Sequence, residues 1–429
     1  MQIREFVGLA SFQFLVFFRR AVFFTFLTIY MFYELGVSAT ITSGMYFTSM
    51  LASSSCQSFL WGKISDKYQK RRTLIVGGEG IAAIAHFLMF FLHIWTYDNI
   101  GKLASGLALI VAMTILEGFW SASNVGWSAL LSDLTDEVTR RKIIGPISGF
   151  GGLGSIVGAF LAAFLYDLPE EGAGFREGPI FFITALIIAF SAILVFFTLP
   201  EGGVTAAVVS EEQDNPPLSV SLPIPRTYWY LLIATFVYFA AIFSVFTVSF
   251  LYPKLESTFN ASSLEIAFVR TAGAISLILI APLITVMTDQ LGLKWSFLLS
   301  SGITVLMLPI FTVAPTFEFY LMAILIQTGF QNASRQISYL IASEIIPKER
   351  RGRLFGYYNG LSFLSFGIGG ILITGPIIDL VISLGSSEAV AFKAGFLSAF
   401  VWALVGIFLH APILRIIDGR IREKINDTY

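Results

Sequence analysis

The chain has 429 residues, of which 56% are hydrophobic and only 13% are charged, and its formal net charge is -1. Because a soluble domain carries about 25% charged residues, this composition excludes a soluble globular protein and predicts a membrane protein with many spans. The near-zero charge argues against a nucleic-acid partner. The single cysteine, Cys56, lies within an apolar run, so neither a disulfide framework nor a cysteine metal site is expected.

Twelve stretches are long and apolar enough to cross a bilayer, since a spanning helix needs about 20 mostly apolar residues. They are predicted at residues 8–34, 38–61, 73–95, 104–131, 143–166, 179–198, 227–251, 264–288, 295–314, 317–343, 354–381 and 389–413. Residues 199–226 are polar, acidic and rich in proline, which is typical of a linker. We therefore predict a six-helix bundle over residues 1–198, a cytoplasmic linker over 199–226, and a second six-helix bundle over 227–429.

Lysine and arginine are unevenly distributed over the connections between these spans. With the N-terminus placed inside, the inner segments hold 19 of these cations, the outer loops hold 4 and the spans hold 4. Cations concentrate on the cytoplasmic side of membrane proteins. Both termini are therefore expected in the cytoplasm, and the cell (plasma) membrane is the default location.

Two segments that follow the fourth span of each half are related at a fixed offset of 211 residues. The positions of the first segment that recur are Ser132, Arg140, Gly145, Gly149, Leu153, Gly158 and Leu161. Parallel six-span repeats are an architecture of secondary transporters, whose substrate site lies near the midplane between the repeats. The alternative is a duplicated scaffold with no transport function.

The connection GKISDKYQKRR, residues 62–72, places five cations between the second and third spans. With it, the chain resembles the major facilitator superfamily over nearly its whole length. The family signature in this loop is matched by Gly62, Asp66, Lys67, Lys70, Arg71 and Arg72, whereas Gln69 occupies a position that is usually glycine. The resemblance implies an all-α fold of twelve transmembrane helices in two parallel six-helix repeats. It also implies a monomeric transporter of a small solute that needs no cofactor or metal.

The resemblance further implies that the loop is a conformational latch and not only a membrane anchor. Gly62 would allow close approach of the second span to a neighbour. Asp66 would pair with Arg71 or Arg72, or with a helix N-terminus. Asp133 and Arg140 would extend this network, which would hold the two halves together until they rock.

Polar residues recur at helical spacing on two spans that line the central cavity in the family that the chain resembles. On the fourth span these residues are Glu117, Trp120, Ser121, Asn124, Trp127 and Ser128, and on the tenth they are Gln327, Gln331, Arg335 and Ser338. Trp120, Asn124, Gln327, Gln331 and Arg335 are therefore candidate substrate-binding residues. A packing network between helices is the alternative.

Charges inside a bilayer are costly and usually face the bundle interior. Arg19 and Arg20 lie near the middle of the first span and point about 100° apart, so only one can face the cavity squarely, and we favour Arg20. The alternative for Arg20 is a structural ion pair with Glu117 or with the region of Glu79. Arg270, on the eighth span, is interpreted as structural.

Glu117 is the predicted proton-coupling residue. Burial disfavours its ionised carboxyl whereas a nearby arginine favours it, so a balanced group could load and release a proton. Glu79 and His86, seven residues apart on the third span, are a second possible relay. Hydrogen-bonded filling of the interior is the alternative for His86.

The leading hypothesis is a proton-coupled secondary transporter that exports hydrophobic or amphipathic compounds by alternating access. Against export, the dipeptide Gly145-Pro146 lies at the start of the fifth span, whereas exporters of the family carry it later. The alternative is an organic-anion transporter in which Arg20 and Arg335 clamp a carboxylate or phosphate. A membrane enzyme or receptor is remote, because the HExxH, GxSxG and GxxxxGK[ST] motifs are missing from the sequence.

Overall fold

The computed structural model of the protein describes residues 3–135, 137–202, 226–346 and 351–426. All regular secondary structure in these ranges is helical, as predicted. The helices of the first half are α1 (Ile3–Ile29), α2 (Ala39–Cys56), α3 (Gly62–Tyr68), α4 (Arg71–Asn99), α5 (Lys102–Leu134), α6 (Glu137–Tyr166), α7 (Ala173–Arg176) and α8 (Pro179–Thr198).

The helices of the second half are α9 (Arg226–Lys254), α10 (Ser263–Val313), α11 (Phe317–Ile345), α12 (Arg351–Gly369), α13 (Gly375–Ser383) and α14 (Glu388–Asn426). Within the described ranges, three π-helical turns extend or connect these helices. Tyr30–Glu34 continues α1, Gln57–Trp61 continues α2, and Gly370–Thr374 joins α12 to α13.

The helices account for all twelve predicted spans. Within the described ranges, nine helical stretches are long and apolar enough to cross a membrane by length and composition. One of them, α10, covers both the eighth and ninth predicted spans, because its 51 residues break at Gly292, where φ is 72° and ψ is 168°. The remaining two spans are α2, which is rich in serine and threonine, and α11, which carries the polar stripe. Their polar side chains lower their mean hydropathy without shortening the helices.

The described residues form two compact units. Unit 1 takes those of residues 1–36 and 48–223, and unit 2 takes those of residues 37–47 and 224–429. The predicted linker lies mostly outside the described residues, so the predicted domain bounds stay a prediction.

The third pair of repeated glycines makes the same kind of contact in both units. In unit 1, a Cβ added to Gly158 on α6 would lie 2.3 Å from the carbonyl oxygen of Phe18 on α1. In unit 2, a Cβ added to Gly369 on α12 would lie 1.9 Å from the carbonyl oxygen of Ala240 on α9. The repeat seen in the sequence thus reflects a close approach of two helix backbones that occurs twice.

The start of α2 packs within unit 2. The Asp379 carboxylate on α13 accepts from the backbone N–H groups of Ala39 at 3.0 Å and Thr40 at 3.1 Å. These are donors that a helix N-terminus leaves without an intrahelical partner. A Cβ on Gly375 would lie 2.6 Å from Thr40 Cα, so the backbones of α2 and α13 also approach closely here.

The glycine contacts predict a sharp difference between substitutions within the repeat. Gly158→Ala and Gly369→Ala should each lower the free energy of unfolding by about 1–3 kcal/mol, because the added methyl group meets backbone that cannot rotate away. Their matched controls are Gly145→Ala and Gly356→Ala, whose added Cβ would meet nothing within 4 Å. Thermal unfolding of the four purified variants in detergent measures the difference. Equal unfolding temperatures for both pairs would contradict this packing.

Candidate functional site

A buried ion cluster joins four helices of unit 1. It consists of Arg19 on α1, Glu79 on α4, Trp120 on α5 and Ser191 on α8, each at most 2% exposed. The two arginine Nη groups each donate to one Glu79 carboxylate oxygen, with the Nη2–Oε1 distance at 2.9 Å. Trp120 Nε1 donates to Oε1 at 3.1 Å and Ser191 Oγ donates to Oε2 at 2.8 Å.

The charges of this cluster neutralise each other where they lie. Glu79 accepts from three different side chains, and Arg19 also lies over the Trp120 ring, with 4.2 Å from Cζ to the ring centroid. A buried carboxylate is stable only when it is paired and its lone pairs are satisfied. Glu79 meets both conditions, so we interpret the Arg19–Glu79 pair as structural.

A second acid–base pair, Arg20 and Glu117, lies beside the first and is held much more loosely. Arg20 Nη2 lies 3.6 Å from Glu117 Oε2, which is beyond hydrogen-bond distance. The Glu117 side chain is 2% exposed and that of Arg20 is 30% exposed. Glu117 Oε2 has no hydrogen-bond partner among the residues that the structure describes. Both pairs contact Trp120, since its ring centroid is also 5.3 Å from Arg20 Cζ.

Of the two adjacent arginines, Arg19 therefore points into unit 1 and Arg20 is the more accessible. Asn124, one of the candidate binding residues, is half-buried on α5, seven residues beyond Glu117. His86 is fully buried and packs against Phe23, with the ring centroids 4.4 Å apart. In the described part of the chain, neither of its ring nitrogens has a hydrogen-bond partner. His86 therefore forms no hydrogen bond with Glu79 in the described residues, and the relay between these two residues stays a prediction.

Unit 2 contains a cavity of about 180 Å³ between α9, α10, α11 and α12. Its apolar wall includes the rings of Phe243, Phe246, Phe250 and Phe366, and its polar wall includes Arg270, Gln327, Thr328, Gln331 and Asn332. The Arg270 Cζ lies 5.7 Å from the centroid of Phe246. The cavity thus combines an aromatic surface with one guanidinium and several amides.

Two of the candidate residues on α11 meet at this cavity and the third does not. Gln327 Nε2 donates to Gln331 Oε1 at 2.8 Å. Arg335, one turn beyond Gln331, is exposed and is not among the described residues that line the cavity. Arg270, interpreted as structural from the sequence, is the cation in the cavity wall instead.

The predicted latch residues form an ion network within unit 1. Arg71 is buried and donates to the Ser65 carbonyl oxygen at 2.5 Å and, through Nε, to Asp133 Oδ2 at 3.3 Å. Asp66, 82% exposed, lies 3.7 Å from Arg71. Gly62 begins α3, directly after the π-helical turn that ends α2. Arg140 belongs to α6, but its side chain lies outside the described residues.

Gln69 has a left-handed backbone, with φ at 54° and ψ at 24°. This conformation favours glycine, which explains why glycine is usual at this position of the signature. Gln69 is held there by its own side chain, which accepts from Arg71 Nη2 at 2.9 Å and donates to the Asp66 carbonyl oxygen at 2.8 Å.

Glu201 is a member of this network that the sequence analysis missed. It pairs with Arg72 at 3.3 Å and accepts from the backbone N–H of Thr73 at 2.9 Å, at the start of α4. The sequence feature that could have identified Glu201 is its position as the first carboxylate after the sixth span. Ser191 was missed as well, and its signal was a hydroxyl within an otherwise apolar helix. Among the described residues, no group of His, Cys, Asp and Glu side chains could hold a metal ion.

The sequence matches the model of the Major Facilitator Superfamily twice, over residues 9–255 and 234–424. A curated relative, the multidrug resistance protein MdtG of Proteus mirabilis, is 23% identical over 385 residues, covering 88% of this chain and 87% of the relative. MdtG of Salmonella paratyphi B is 24% identical over 357 residues, covering 82% and 81%.

Solved transporters share the fold at lower identity. A variant of the nucleoside transporter NupG superposes with a TM-score of 0.75 at 17% identity, covering 95% of this chain and 99% of that one. A proton-dependent oligopeptide transporter gives 0.73 at 13% identity, covering 97% and 100%. Together with the two family matches, these likenesses confirm the predicted fold of two six-helix repeats.

The buried cluster predicts strong coupling between Arg19 and Glu79. Arg19→Met and Glu79→Gln should each lower the free energy of unfolding by about 3–5 kcal/mol, because each leaves one buried charge without its partner. The double variant should be more stable than either single variant. Glu117→Gln, which removes a pair at 3.6 Å, should cost less than about 1 kcal/mol. Denaturant unfolding in mixed micelles measures all four, and additive losses for Arg19→Met and Glu79→Gln would contradict the pairing.

Proposed function

This chain belongs to the Major Facilitator Superfamily and is a multi-pass membrane transporter, and we propose that it exports small hydrophobic or amphipathic compounds in exchange for protons. The observation that carries the proposal is the contrast between two buried carboxylates of unit 1. Glu79 accepts hydrogen bonds from three side chains, whereas Glu117 is paired with Arg20 at 3.6 Å and has one oxygen without a hydrogen bond to any described residue.

Glu117 is the proton carrier in this proposal. A buried carboxylate with only a partial partner can exist in either protonation state at a modest cost, since burial and the arginine act in opposite directions. Arg20 is the switchable partner, because its side chain is 30% exposed and can leave Glu117 for solvent or a ligand.

Export is supported by the relatives, since two of them bear the name multidrug resistance protein and align over more than four fifths of both chains. The aromatic cavity of unit 2 supports apolar solutes, because aromatic side chains offer large contact areas. Asn124, Gln327, Gln331 and Arg20 are the proposed binding residues, and Trp120, which is 2% exposed, would act through its ring contact with Arg20. Export also requires the predicted orientation, with both termini cytoplasmic in the plasma membrane.

The proposal also includes alternating access by the two halves and a monomeric state. It further includes the latch. In the latch, Arg71 holds Asp66 and Asp133 at one end of unit 1. Gly62 and Arg140 remain members of the proposed latch, although the Arg140 side chain lies outside the described residues. Rearrangement of these ion pairs would accompany each reorientation of the transporter.

Glu117→Gln should abolish transport driven by a proton gradient while exchange of solute without a gradient is retained. The measurement uses proteoliposomes and tetraphenylphosphonium as a lipophilic cation, with Glu34→Gln as the matched carboxylate control. The control should transport like the unsubstituted protein. Gradient-driven transport that survives Glu117→Gln would contradict the proposal.

A second candidate, an organic-anion transporter, is favoured by one observation. The Arg270 guanidinium lies in the wall of an aromatic cavity, beside the amides of Gln327 and Gln331. A planar guanidinium binds carboxylates with two parallel hydrogen bonds. The sequence analysis proposed a clamp formed by Arg20 and Arg335. Arg335 lies on α11, one turn beyond Gln331.

Thermal unfolding separates the two candidates. A ligand at 100 times its dissociation constant stabilises a protein by about 2.7 kcal/mol, so benzoate and tetraphenylphosphonium can be compared directly. If the protein carries anions, benzoate should stabilise it and Arg270→Gln should remove this effect, with Arg335→Gln as the comparison for the clamp. If it is an exporter of lipophilic cations, tetraphenylphosphonium should stabilise it more at a slightly alkaline pH than at an acidic pH. Stabilisation by benzoate in both arginine variants would contradict the anion candidate.

A further inference from the structure

A second cavity, of about 250 Å³, lies at one end of unit 1, outside the residues that the proposed function uses. Its wall is formed by the end of α2, by α3, by the first turns of α4 and by α5. The apolar residues of the wall are Trp61, Ile64, Tyr68, Leu74, Ile81 and Phe119. We call this cavity the α3 groove.

Two features of α4 and α2 keep the α3 groove open. Gly77 on α4 is exposed, and a Cβ added to it would meet nothing within 4 Å, so the missing side chain leaves free space along the wall. Trp61 is fixed by its indole N–H, which donates to the Gly118 carbonyl oxygen at 2.7 Å. The groove is therefore preformed and does not depend on a mobile ring.

The surface around the α3 groove is apolar and faces outwards. Tyr68, Ile81 and Phe119 are exposed, and so are Phe59 and Ile84 on the adjoining turns. In a membrane protein, such a surface contacts the lipid chains. Because α3 lies in the connection between two spans, the groove runs from the bilayer interior to the water boundary.

The cations at the mouth of the α3 groove are divided into two groups. Arg71 and Arg72 are paired with the carboxylates of Asp133 and Glu201. The three lysines of the same connection, Lys63, Lys67 and Lys70, are exposed and form no ion pair with any residue that the structure describes.

The lysines lie where a lipid headgroup would be. Lys70 is part of the groove wall, and Lys67 Nζ lies 5.3 Å from the centroid of the Tyr68 ring, which also lines the groove. The neighbouring carboxylate, Asp66, lies 3.7 Å from Arg71. A lysine ammonium is a compact point charge that binds phosphate, and clustered cations beside a span attract anionic lipids.

We propose that the α3 groove binds an anionic glycerophospholipid, with one acyl chain along Gly77 and its phosphate between Lys67 and Lys70. The charge of the groove mouth selects an anionic headgroup over a zwitterionic one. The apolar wall selects a lipid over free phosphate. This site is independent of the transported solute.

The proposal is tested by native mass spectrometry on the purified, delipidated full chain. Phosphatidylglycerol and phosphatidylcholine with identical acyl chains are added in equal amounts, and the bound lipids are counted. The unsubstituted protein should retain phosphatidylglycerol preferentially. Lys67→Gln and Lys70→Gln should each weaken this binding about fivefold, and Gly77→Leu should weaken the binding of both lipids by filling the groove.

Two controls are matched to these variants. Gly80→Leu adds the same side chain on the same helix, at a position that also meets nothing within 4 Å but does not line the groove. Lys142→Gln removes another exposed lysine of unit 1. Both should bind phosphatidylglycerol like the unsubstituted protein, and the unfolding temperature of each variant shows whether it is folded.

Three results would overturn the proposal. Equal retention of the two lipids, unchanged by the lysine substitutions, would exclude recognition of an anionic headgroup. Binding that Gly77→Leu leaves unaltered in a folded protein would place the lipid elsewhere. Displacement of phosphatidylglycerol by tetraphenylphosphonium would assign the groove to the solute.

Discussion

The charges buried within unit 1 are the constraint on which the rest of the account depends. Arg19 and Glu79 lie where neither can be hydrated, so each needs the other, and the cost of separating them holds α1 and α4 together. Trp120 and Ser191 bring α5 and α8 to the same point. Four helices of the unit therefore meet at one polar cluster.

This arrangement separates two roles that a single charge pair could not combine. In the Arg19–Glu79 pair, both carboxylate oxygens accept hydrogen bonds, and we interpret this pair as structural. The Arg20–Glu117 pair lies one residue along on α1 and is underbonded, with its arginine partly exposed. Trp120 contacts both arginines, so the Glu79 carboxylate that accepts from its indole N–H also fixes the ring near Arg20. In the proposed function, the carboxylate that gains and loses a proton therefore lies beside an ion pair that does not change.

The sequence was sufficient for the fold because its signals were long or repeated. Twelve apolar runs, a linker and a fixed offset of 211 residues each depend on many positions. Gly158 and Gly369 give one of the repeated positions a physical reason, since both allow a carbonyl oxygen of another helix to approach. The signature loop was also recognisable from the sequence. Gln69 replaces the glycine that is usual in the signature, and it adopts the left-handed backbone conformation that favours glycine.

The sites were less predictable because side-chain direction depends on packing between helices. Helical periodicity placed Glu117 and Trp120 on one face, but it could not show that Trp120 is buried against Arg19. Adjacent arginines on one helix differ only in direction, and only the neighbouring helices determine which one is paired. Arg270 was assigned from its depth along a span, whereas its direction places it in the cavity wall of unit 2.

The central claim is that Glu117, and not Glu79, changes its protonation state. Infrared difference spectra of the purified protein, recorded between alkaline and acidic pH, detect the C=O stretch of a carboxyl group as it gains a proton and require no ligand. A band from a buried carboxyl group is expected, and it should disappear in Glu117→Gln and persist in Glu34→Gln. A band of unchanged intensity in Glu117→Gln would contradict the central claim, because another buried carboxylate would then carry the proton.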